Sequence, residues 1–473
     1  MSSDAATDLI SQARRARVAV VGGGIAGLVA ALQCAKVGIS VTLFESSDRL
    51  GGIVASADLD DRMTDVAADG FRVAPGALAE LIDELGLREA VVPARDADTW
   101  VAGPHGVAPL PAASILGIPA NPFDARARRI IGSRGAWRAY VDRLRPPLTI
   151  GAERNLGALV RTRMGSRVLE RMVAPLTHGI HGVPPEQVDV DRAARGLNSA
   201  LTRTGSLSGA VAQQLPDADA DSRPSRATIA GGMSVFVAAL AERLADLEAD
   251  VRTGVDVDRI ASAGDEWSLT WAAGDESGEL EVDAVIVATS ERPARRLLAP
   301  HLGGLDGAPL SPDDVDVVTL VLDAPSLDDR PRGHAVYAVP GEAAALAVVH
   351  ATATWPHAAG DPHVVRVTLP ASEDGDDDAI AAATAAAREL LALEAPAVRA
   401  AHRARWPRSL PSSALSPARD ELRRAARVHE RLGVVGAWVD GTGLARVAAD
   451  AKTEAERIRS GLLWHAGGEG AST

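Results

Sequence analysis

Three glycines near the start of the chain constrain its fold more than any other feature. Gly22, Gly24 and Gly27 stand in G-x-G-x-x-G spacing, after an apolar run at 18–21 and before a run typical of a helix that Gly38 ends. Gly22 permits a tight turn, Gly24 lets the backbone approach a pyrophosphate, and Gly27 lets the helix pack closely on the strand. The pattern predicts a strand–turn–helix unit whose helix N-terminus faces the phosphates of a dinucleotide.

A second predicted strand supports this interpretation. The segment 40–44 is predicted to form a strand and ends at Glu45, 18 positions after Gly27, where an acidic side chain can bind the hydroxyls of a ribose. Arg49 and the pair Gly51 and Gly52 follow. The glycine pair would let the chain pass close to a cofactor, and Arg49 could reach a phosphate. A glycine motif alone also fits an ordinary turn, but the complete set indicates a nucleotide site.

Composition excludes several classes of protein. The chain has 473 residues and a net charge of −14, which argues against a nucleic-acid-binding surface because phosphate binding needs a basic stripe. Cys34 is the only cysteine, so we expect no intramolecular disulfide and no metal site built on cysteines. The N-terminal residues are polar, and no run of about 18 apolar residues occurs. We therefore predict a cytoplasmic protein without a transmembrane segment and leave peripheral membrane contact open.

The first half of the chain continues with an irregular stretch and then helices. Prolines interrupt residues 99–135, which predicts a packed loop or the lip of an apolar pocket. Apolar residues then recur at helical spacing over 155–177, and residues 191–214 continue helically. Residues 216–226 are polar and bounded by proline, which is typical of an exposed loop.

The second half returns to alternating strands and helices. Gly231 and Gly232 precede a predicted helix at 235–247, and strands are predicted at 250–253, 267–271 and 280–288. Residues 313–370 alternate as strands, and a helix at 379–393 follows. The final unit is a strand at 433–436, a glycine loop at 440–443 and a helix at 444–463. This order predicts an α/β chain.

Several of these segments together resemble the bacterial oxygen-dependent coproporphyrinogen III/protoporphyrinogen oxidase family, a branch of the flavin amine oxidase superfamily. The resemblance covers roughly residues 17–465. Besides the N-terminal motif, it rests on six segments: LPAASILGIP at 110–119, LGALVRTRMG at 156–165, VAPLTHGIH at 173–181, WPHAA at 355–359, Arg405 and Trp406 followed by Pro411, and AWVDGTGL at 437–444. Their order and spacing make the match specific.

The resemblance implies a fold that periodicity alone does not give. It implies a discontinuous Rossmann-like FAD-binding domain, a substrate domain with a mixed sheet, and a helical domain that shapes the mouth of the site. In this chain the FAD-binding domain would comprise 17–75, 226–297 and 418–465. The substrate domain would comprise 76–98 and 298–417, and the helical domain 99–225.

The resemblance also implies which residues bind FAD, by their backbone, by small size or by charge. They are Gly22, Gly24, Ala26, Gly27, Glu45, Arg49, Gly51, Gly52, Val257, Thr442, Gly443 and Leu444. The backbone of Val257 would contact the adenine. The N–H groups of Thr442, Gly443 and Leu444 would face the flavin N1–C2=O edge and stabilise negative charge there. An ordinary helix entry is the alternative for this last loop.

The activity implied is oxidation of a porphyrinogen through FAD, with oxygen as acceptor and hydrogen peroxide as product. Coproporphyrinogen III is favoured over protoporphyrinogen IX because the resemblance is strongest to the soluble bacterial branch. Because guanidinium groups bind carboxylates with two parallel hydrogen bonds, we expect Arg72 and Arg88 to hold those of the substrate. His178, His181 and His357 could also reach it, although a single histidine of this kind more often has a structural role.

The chain departs from the family at two places, and two other functions stay open. After Phe71 only Arg72 remains of the family's basic residues, and Ala445 and Arg446 replace an Ile-Pro-x-Cys type sequence. A flavin amine oxidase is one alternative, although two tyrosines and two lysines in the whole chain make its aromatic cage and lysine hard to supply. A non-catalytic FAD-binding relative is the other.

Overall fold

Five parallel strands form the sheet that contains the glycine turn. The computed structural model describes residues 11–144, 153–215, 226–264, 266–303, 305, 313–355, 362–409 and 417–464. The strands of this parallel sheet are, in spatial order, Asp250–Thr253, Ser40–Glu45, Arg17–Val21, Ala284–Val287 and Leu432–Val434. They come from distant parts of the chain, so the nucleotide unit is discontinuous as predicted from the sequence.

Both faces of the parallel sheet are covered, which explains the apolar character of its central strand. Val18 and Val20 pack against the first helix, Ile25–Ala35, whereas Ala19 and Val21 point to the other face. The first helix is buried along its whole length. It packs against two longer helices, Ser234–Asp246 and Leu444–Trp464.

An antiparallel sheet covers the other face of the parallel sheet. Its three strands are Asp256–Ala263, Glu266–Ala273 and Glu276–Val282. The predicted strand at 280–288 is thus two strands in two sheets, because the chain changes sheets between Val282 and Ala284. The helices Glu291–Leu298 and Pro417–Val428 complete this layer.

A mixed sheet of seven strands forms the second layer of the molecule. Its spatial order is Ala397–Trp406, Val315–Asp323, His363–Pro370, Ala347–His350, Ala335–Ala338, Thr99–Gly103 and Gly106–Pro109. One pair of strands is parallel, and the other pairs are antiparallel. The helix Asp376–Leu391 packs on the face that carries Val318, Leu320, Val365 and Val367. The opposite face turns toward the nucleotide unit.

The prediction for residues 99–135 was wrong in part. Thr99–Gly103 and Gly106–Pro109 are strands of the mixed sheet, followed by the short pair Ser114–Ile115 and Ile118–Pro119. Pro109 is tolerated because its strand lies at the edge of the sheet, where a missing N–H leaves no ladder partner unpaired. We keep the three-domain division as a proposal, with these strands moved from the helical to the substrate domain.

Helices dominate residues 125–214, around one apolar cluster. They are Ala125–Tyr140, Leu156–Met164, Ser166–Val168, Ala174–Leu176, Val190–Ala193, Leu197–Thr204 and Leu207–Gln214, with π-helical turns at Leu169–Val173 and Thr177–His181 and 3-10 turns at Val141–Leu144 and Pro185–Gln187. The continuous helix predicted at 155–177 is interrupted at Gly165, whose φ of 91° lies outside the helical region. The polar loop predicted at 216–226 lies almost wholly outside the described residues.

Small elements connect the layers. Phe71–Arg72, Arg226–Ile229 and Val91–Pro93 form a three-stranded antiparallel sheet, and Ser56–Asp58 pairs with Met63–Asp65. The helix Ala77–Glu84 and the turn Arg88–Ala90 lie between them, while Pro325–Leu327 and Ala351–Thr354 are short helices beside the mixed sheet. The α/β fold class with a parallel and a mixed sheet is confirmed. No helix in the described ranges is both long and apolar enough to cross a membrane.

Candidate cofactor and substrate site

The glycine turn follows the first strand as the spacing predicts. Gly22 has a φ of 112°, and its N–H donates to the carbonyl of Phe44 at 2.7 Å. A Cβ on Gly27 would lie 1.8 Å from the carbonyl oxygen of Gly22, so only glycine lets the first helix pack this closely on the turn. Ala26, beside it, is buried in the same helix.

Gly24 serves a different purpose from its neighbours. It precedes the first helix with φ −69° and ψ 174°, a conformation open to any residue. A Cβ there would meet only the Cα of Gly52, at 3.9 Å. Gly24 also forms a bridge with Gly51, whose N–H donates to the carbonyl of Gly23 at 2.9 Å. The glycine pair thus approaches the helix N-terminus and leaves space where a pyrophosphate would lie.

The carboxylate of Glu45 is held at the end of the second strand. One oxygen accepts from the N–H of Gly23 at 2.7 Å, and the other accepts from the N–H and the hydroxyl of Ser47, both at 2.8 Å. Both oxygens retain further lone pairs, since a carboxylate accepts about four hydrogen bonds. Glu45 is therefore fixed beside the glycine turn in the position expected for ribose recognition.

We call the glycine turn at 22–27, Glu45 and the glycine pair at 51 and 52 the cradle. Arg49 connects this cradle to the mixed sheet. Its guanidinium donates to the carbonyl of Gly52 at 3.0 Å and lies 5.5 Å from the ring centroid of Trp406. The arginine therefore stands at the edge of the phosphate space, with its charge stabilised by a carbonyl and a ring face. We retain it as a proposed cofactor-binding residue.

Val257 lies on the second strand after the helix Ser234–Asp246. The strand after the helix Ser234–Asp246 is Asp250–Thr253, and Val257 belongs to the next one, Asp256–Ala263. Its side chain is buried, and its carbonyl accepts from Arg296 at 3.4 Å. The connection to this strand passes along the cradle, because the N–H of Val255 donates to the carbonyl of Glu45 at 2.9 Å. Its backbone thus stays close to the ribose end of the site.

The segment 437–443, just before the last helix, lies close to the glycine turn although it comes from the far end of the chain. The indole N–H of Trp438 donates to the carbonyl of Thr289 at 3.1 Å, and Thr289 adjoins the space behind Gly22. Thr442 and Gly443 then lead into the last helix, and Leu444 packs against the cluster that contains Ile25 and Ala26. Two helix N-termini therefore meet at the carboxyl edge of the parallel sheet.

Arg446, which departs from the family pattern, stabilises this loop. Its guanidinium donates to the carbonyl of Asp440 at 3.0 Å and pairs with the Asp440 carboxylate at 2.6 Å. Gly443 has a φ of 107°, and a Cβ there would meet nothing within 4 Å. The altered sequence thus keeps an ordered, open loop in front of the last helix.

A buried ionic cluster that the sequence did not reveal joins the two layers. The carboxylate of Asp69 accepts from the indole N–H of Trp355 at 2.6 Å and from the guanidinium of Arg366. Burial raises the pKa of Asp69, but Arg366, Arg226 and these hydrogen bonds outweigh burial, and the net pKa lies below its usual value. Arg366 also donates to the carbonyls of Asp65 and Ala67, at 3.3 and 3.1 Å. The cluster fixes the segment 65–70 against the mixed sheet.

The inner face of the mixed sheet covers the cradle. Arg366 on this face contacts Asp69, and Val321 packs with Ala55 and Val66 of the nucleotide unit. Tyr337, on the same face by register, packs against the helical cluster, where a Cβ on Gly179 would lie 2.4 Å from its ring. The nucleotide unit and the helical region therefore both contact the inner face of the mixed sheet.

Arg72 lies beside a second arginine, Arg226, and we call the surface formed by Arg72, Arg226 and His181 the mouth. In the antiparallel register Arg72 is directly opposite Arg226. Arg226 lies 3.8 Å from the Asp69 carboxylate and 5.4 Å from the Trp355 ring centroid, whereas Arg72 is exposed. Burial lowers the pKa of His181, and the nearby charge of Arg72 lowers it further. His181 therefore lies at the mouth too, as a neutral ring.

Arg88 does not lie at this mouth. Its guanidinium pairs with Asp83, and its side chain is 71% exposed. Glu84, which follows Asp83 in the sequence, pairs with Lys36, the residue that caps the C-terminus of the first helix. Because the first helix begins at the glycine turn, Arg88 lies at the opposite end of that helix from Gly24. Its position argues against a role in substrate binding.

The remaining candidates have local partners or no description. The ring of His178 is within 2.9 Å of the carbonyl of Ala174 in its own helical segment, which fits a structural role. His357 and Pro411 lie outside the described residues. Among the described residues, no group of His, Cys, Asp and Glu is arranged to hold a metal ion.

The chain belongs to the flavin containing amine oxidoreductase family, whose model matches residues 25–459. The cradle fits the cofactor of such a protein, and the prediction of FAD is confirmed. The predicted resemblance is confirmed as well.

Curated relatives refine the comparison within this family. A coproporphyrinogen III oxidase of Staphylococcus aureus is 31% identical over 178 residues, 37% of each chain. One of Mycobacterium leprae is 27% identical over 380 residues, which cover 79% of this chain and 80% of the relative. The mitochondrial protoporphyrinogen oxidase of Nicotiana tabacum is 25% identical over 61% of this chain and 60% of its own. The match spans 37% of the Staphylococcus relative and 59% of the one from Mycobacterium bovis.

Solved structures show the same fold. A protein of Exiguobacterium sp. 255-15, provisionally named a protoporphyrinogen oxidase, superposes with a TM-score of 0.81 at 21% identity, covering 94% of this chain and 98% of the other. A reduced UDP-galactopyranose mutase superposes with a TM-score of 0.69 at 13% identity, covering 95% and 94%. At these identities the likeness concerns the fold alone.

Proposed function

We propose that this chain oxidises coproporphyrinogen III to coproporphyrin III through FAD, with oxygen as the acceptor and hydrogen peroxide as the product. The names of the curated relatives support this proposal, since those from Staphylococcus and Mycobacterium are coproporphyrinogen III oxidases. Among structural observations, the pair of arginines at the mouth carries the proposal.

The two arginines favour an anionic substrate on energetic grounds. Like charges directly opposite each other across two strands destabilise a sheet, and Arg72 and Arg226 are such a pair. Arg226 shares the Asp69 carboxylate with Arg366, and no ion pair of Arg72 is found among the described residues. A carboxylate bound between the two guanidinium groups would relieve the repulsion and form charge-assisted hydrogen bonds. The propionates of a porphyrinogen supply such carboxylates.

Exposed apolar side chains around the arginines suit the rest of the macrocycle. Ile53, Val73 and Ile180 are 48%, 41% and 51% exposed. Ile53 accepts a backbone hydrogen bond from Ala68, Val73 follows Arg72, and Ile180 precedes His181. Exposed apolar groups gathered at one mouth are a sign of a binding surface. We infer that they contact the apolar rings while the arginines set the orientation.

In this proposal the chain supplies position and electrostatics. FAD, when bound, supplies the acceptor for a hydride from the substrate. The amide groups of Thr442, Gly443 and Leu444, at the N-terminus of the last helix, would stabilise negative charge beside them. The Asp69–Arg366 pair holds the segment 65–70, and with it Arg72, at a fixed distance from the mixed sheet. Burial of the rings would exclude water from the reacting carbon.

The structure argues against the amine oxidase alternative through its lysines and tyrosines. Lys36 pairs with Glu84, and Lys452 pairs with Glu80, both on the helical side of the nucleotide unit. Tyr140 packs with Phe123 and Trp137 in the helical region, which leaves Tyr337 as the other tyrosine of the chain. Neither lysine is therefore placed to face a flavin bound in the cradle. Protoporphyrinogen IX remains the alternative substrate, since it carries the same rings with fewer carboxylates.

The test is to replace Arg72 by alanine and to compare that variant with Arg88→Ala. Loss of a charge-assisted carboxylate contact of ~1.5–3 kcal/mol should raise the KM for coproporphyrinogen III roughly ten- to a hundred-fold in Arg72→Ala. Because the residue only positions the substrate, kcat should fall less than kcat/KM. Arg88→Ala is the matched control, since Arg88 lies at the far end of the first helix.

Porphyrin fluorescence during aerobic turnover gives both constants, and flavin absorbance checks the cofactor content. An unaltered KM in Arg72→Ala, or an increase in Arg88→Ala alone, would contradict the assignment of the mouth. Faster oxidation of an amine than of either porphyrinogen would overturn the proposed function itself.

A further inference from the structure

A cavity of about 520 Å³ lies on the outer face of the mixed sheet. His350 and His363 line it, and the register places both on the side chain face of Val348 and Val365, which the helix Asp376–Leu391 partly covers. Arg366 points to the opposite face, toward Asp69. The sheet therefore separates this outer cavity from the cofactor site.

The floor of the outer cavity is a buried hydrogen-bonded cluster. His350, Thr352 and His363 are 1%, 3% and 4% exposed. The hydroxyl of Thr352 accepts from the N–H of Val364 at 3.3 Å, so its own proton is free for Nδ1 of His363, also at 3.3 Å. Nε2 of His350 lies 3.2 Å from the same Nδ1. We assign the proton of His363 to Nε2 because a carboxylate oxygen of Asp328 lies 3.3 Å from that atom, and Nδ1 then accepts from the Thr352 hydroxyl.

That proton is directed toward the outer cavity. Nε2 of His363 lies 3.3 Å from a carboxylate oxygen of the exposed Asp328, which stands at the rim. The distance lies within the ion-pair range, but the Nε2 atom is buried and makes no hydrogen bond of good geometry in the part of the chain that the structure describes. Burial, His363 and Arg330 together lower the pKa of His350 to about 3, so the His350 ring is neutral near pH 7.

Two guanidinium groups stand at the rim of the outer cavity. Arg95 is anchored by its N–H, which donates to the carbonyl of Thr354 at 2.8 Å, and Arg330 follows the turn after the strand Val315–Asp323. Neither arginine has an ion pair among the described residues. Asp96 and Asp328 also line the cavity and balance their charge, which disfavours polyanions.

We propose that the outer cavity is a second ligand site, separate from the cofactor site, for a small molecule with one oxyanion group, a carboxylate or a phosphate. Arg95 and Arg330 would bind the oxyanion, and Nε2–H of His363 would donate to it from the floor. Leu327 and Ala353 give the wall an apolar part for the body of the ligand. The volume lies within the range of small-molecule pockets.

Two matched probes, phenyl phosphate and benzoate, test the proposal and differ only in the oxyanion. Each is titrated into the FAD-loaded protein at constant ionic strength, and binding is followed by saturation-transfer NMR on the ring protons. We expect saturable binding of one probe or both, and the tighter probe identifies the oxyanion. Benzamide, which has the ring without the charge, should bind at least about tenfold more weakly.

The variants locate the site. Arg330→Ala and Arg95→Ala should each weaken binding roughly tenfold or more, since each removes a charge-assisted contact. Arg388→Ala is the control, because Arg388 is exposed on the helix Asp376–Leu391 of the same layer. Both rim arginines are exposed, so their loss should leave the fold intact. No saturable binding of either probe, or binding that the rim variants leave unchanged, would overturn the proposal.

Discussion

Glycines that share one motif need glycine for different reasons. At Gly27 an added Cβ would meet the backbone of Gly22, so the requirement belongs to the fold. At Gly24 the conformation suits any residue, and an added Cβ would meet only Gly52 at 3.9 Å. The requirement at Gly24 thus belongs to the ligand, and the two positions can be separated by mutation.

Gly24→Val should therefore remove FAD without unfolding the protein. Its side chain would occupy the pyrophosphate space, and we expect flavin occupancy to fall roughly tenfold or more. The ratio of flavin to protein absorbance measures occupancy, and far-ultraviolet circular dichroism should match the wild-type apoprotein. Gly27→Ala, the comparison, should lose the circular dichroism signal as well. A Gly24→Val protein that purifies with normal flavin content would contradict the assignment.

Residues whose function depends on local geometry could be predicted from the sequence. The turn at Gly22 and the end of the second strand at Glu45 are fixed within one strand–turn–helix unit, so spacing was sufficient. Asp69 and Arg366 could not be paired in this way, because 297 positions separate them and no motif marks either. The position of Arg88 could not be predicted for a related reason, because sequence gives the end of the helix Ala77–Glu84 but not the direction in which that helix points.

At the scale of elements, the segment 65–70 is held by contacts on both sides. Its Asp65 carboxylate accepts from the N–H of Met233 at 3.1 Å and from the hydroxyl of Ser56 at 2.7 Å, whereas Asp69 bonds to Trp355 and Arg366 of the mixed sheet. The short helix Ala351–Thr354 ends at Trp355 and so carries one of these contacts. The segment 65–70 therefore connects the cradle to the mixed sheet that covers it.

Asp69→Asn should weaken this link and make it insensitive to pH. Removing one partner of a buried ion pair leaves Arg366 uncompensated and costs about 3–5 kcal/mol. The folded-state pKa of Asp69 lies below its unfolded value, so its contribution is complete above the unfolded pKa of about 4 and is lost as pH falls through the folded pKa. The urea midpoint of the wild type should therefore exceed that of the variant at pH 7, and the gap should narrow below pH 4. A gap that is constant down to pH 3 would contradict this account.

The strands between residues 99 and 122 were predicted less well than the helices of the chain, and the reason is physical. The prolines between 104 and 122 favour irregular structure, yet two strands form there because the mixed sheet accepts them at its edge. The edge strand Gly106–Pro109 pairs with Thr99–Gly103, which pairs in turn with Ala335–Ala338, and this pairing overrides the local sequence preference. The pairing is decided by parts of the chain more than 200 positions apart, beyond the reach of any local pattern.

At the scale of the whole molecule, charge is distributed unevenly around the mouth. The chain carries a net charge of −14, yet Arg72 and Arg226 stand together there. A basic mouth on an acidic chain favours the approach of a carboxylated substrate to that mouth.

The helix N-termini bear on which redox partner the protein can bind. A nicotinamide dinucleotide would need a second phosphate cradle, and the helix Ser234–Asp246, which follows Gly231 and Gly232, is the natural candidate in the described chain. Its N-terminus is already neutralised, because both oxygens of the Asp65 carboxylate accept from the N–H of Met233 at 3.1 Å. A phosphate there would meet that carboxylate and be repelled.

We therefore expect oxygen, and not NADPH, to exchange electrons with the bound flavin. Hydrogen peroxide should form in proportion to the coproporphyrinogen III oxidised, measured by a coupled peroxidase assay against porphyrin fluorescence. Under anaerobic conditions NADPH should leave the flavin absorbance unchanged, whereas coproporphyrinogen III should bleach it within the same time. Asp65→Asn is a useful comparison, since it removes the carboxylate charge that would repel a phosphate at the N-terminus of the helix Ser234–Asp246. Rapid anaerobic bleaching of the wild-type flavin by NADPH would show that electrons enter by a route this N-terminus does not control.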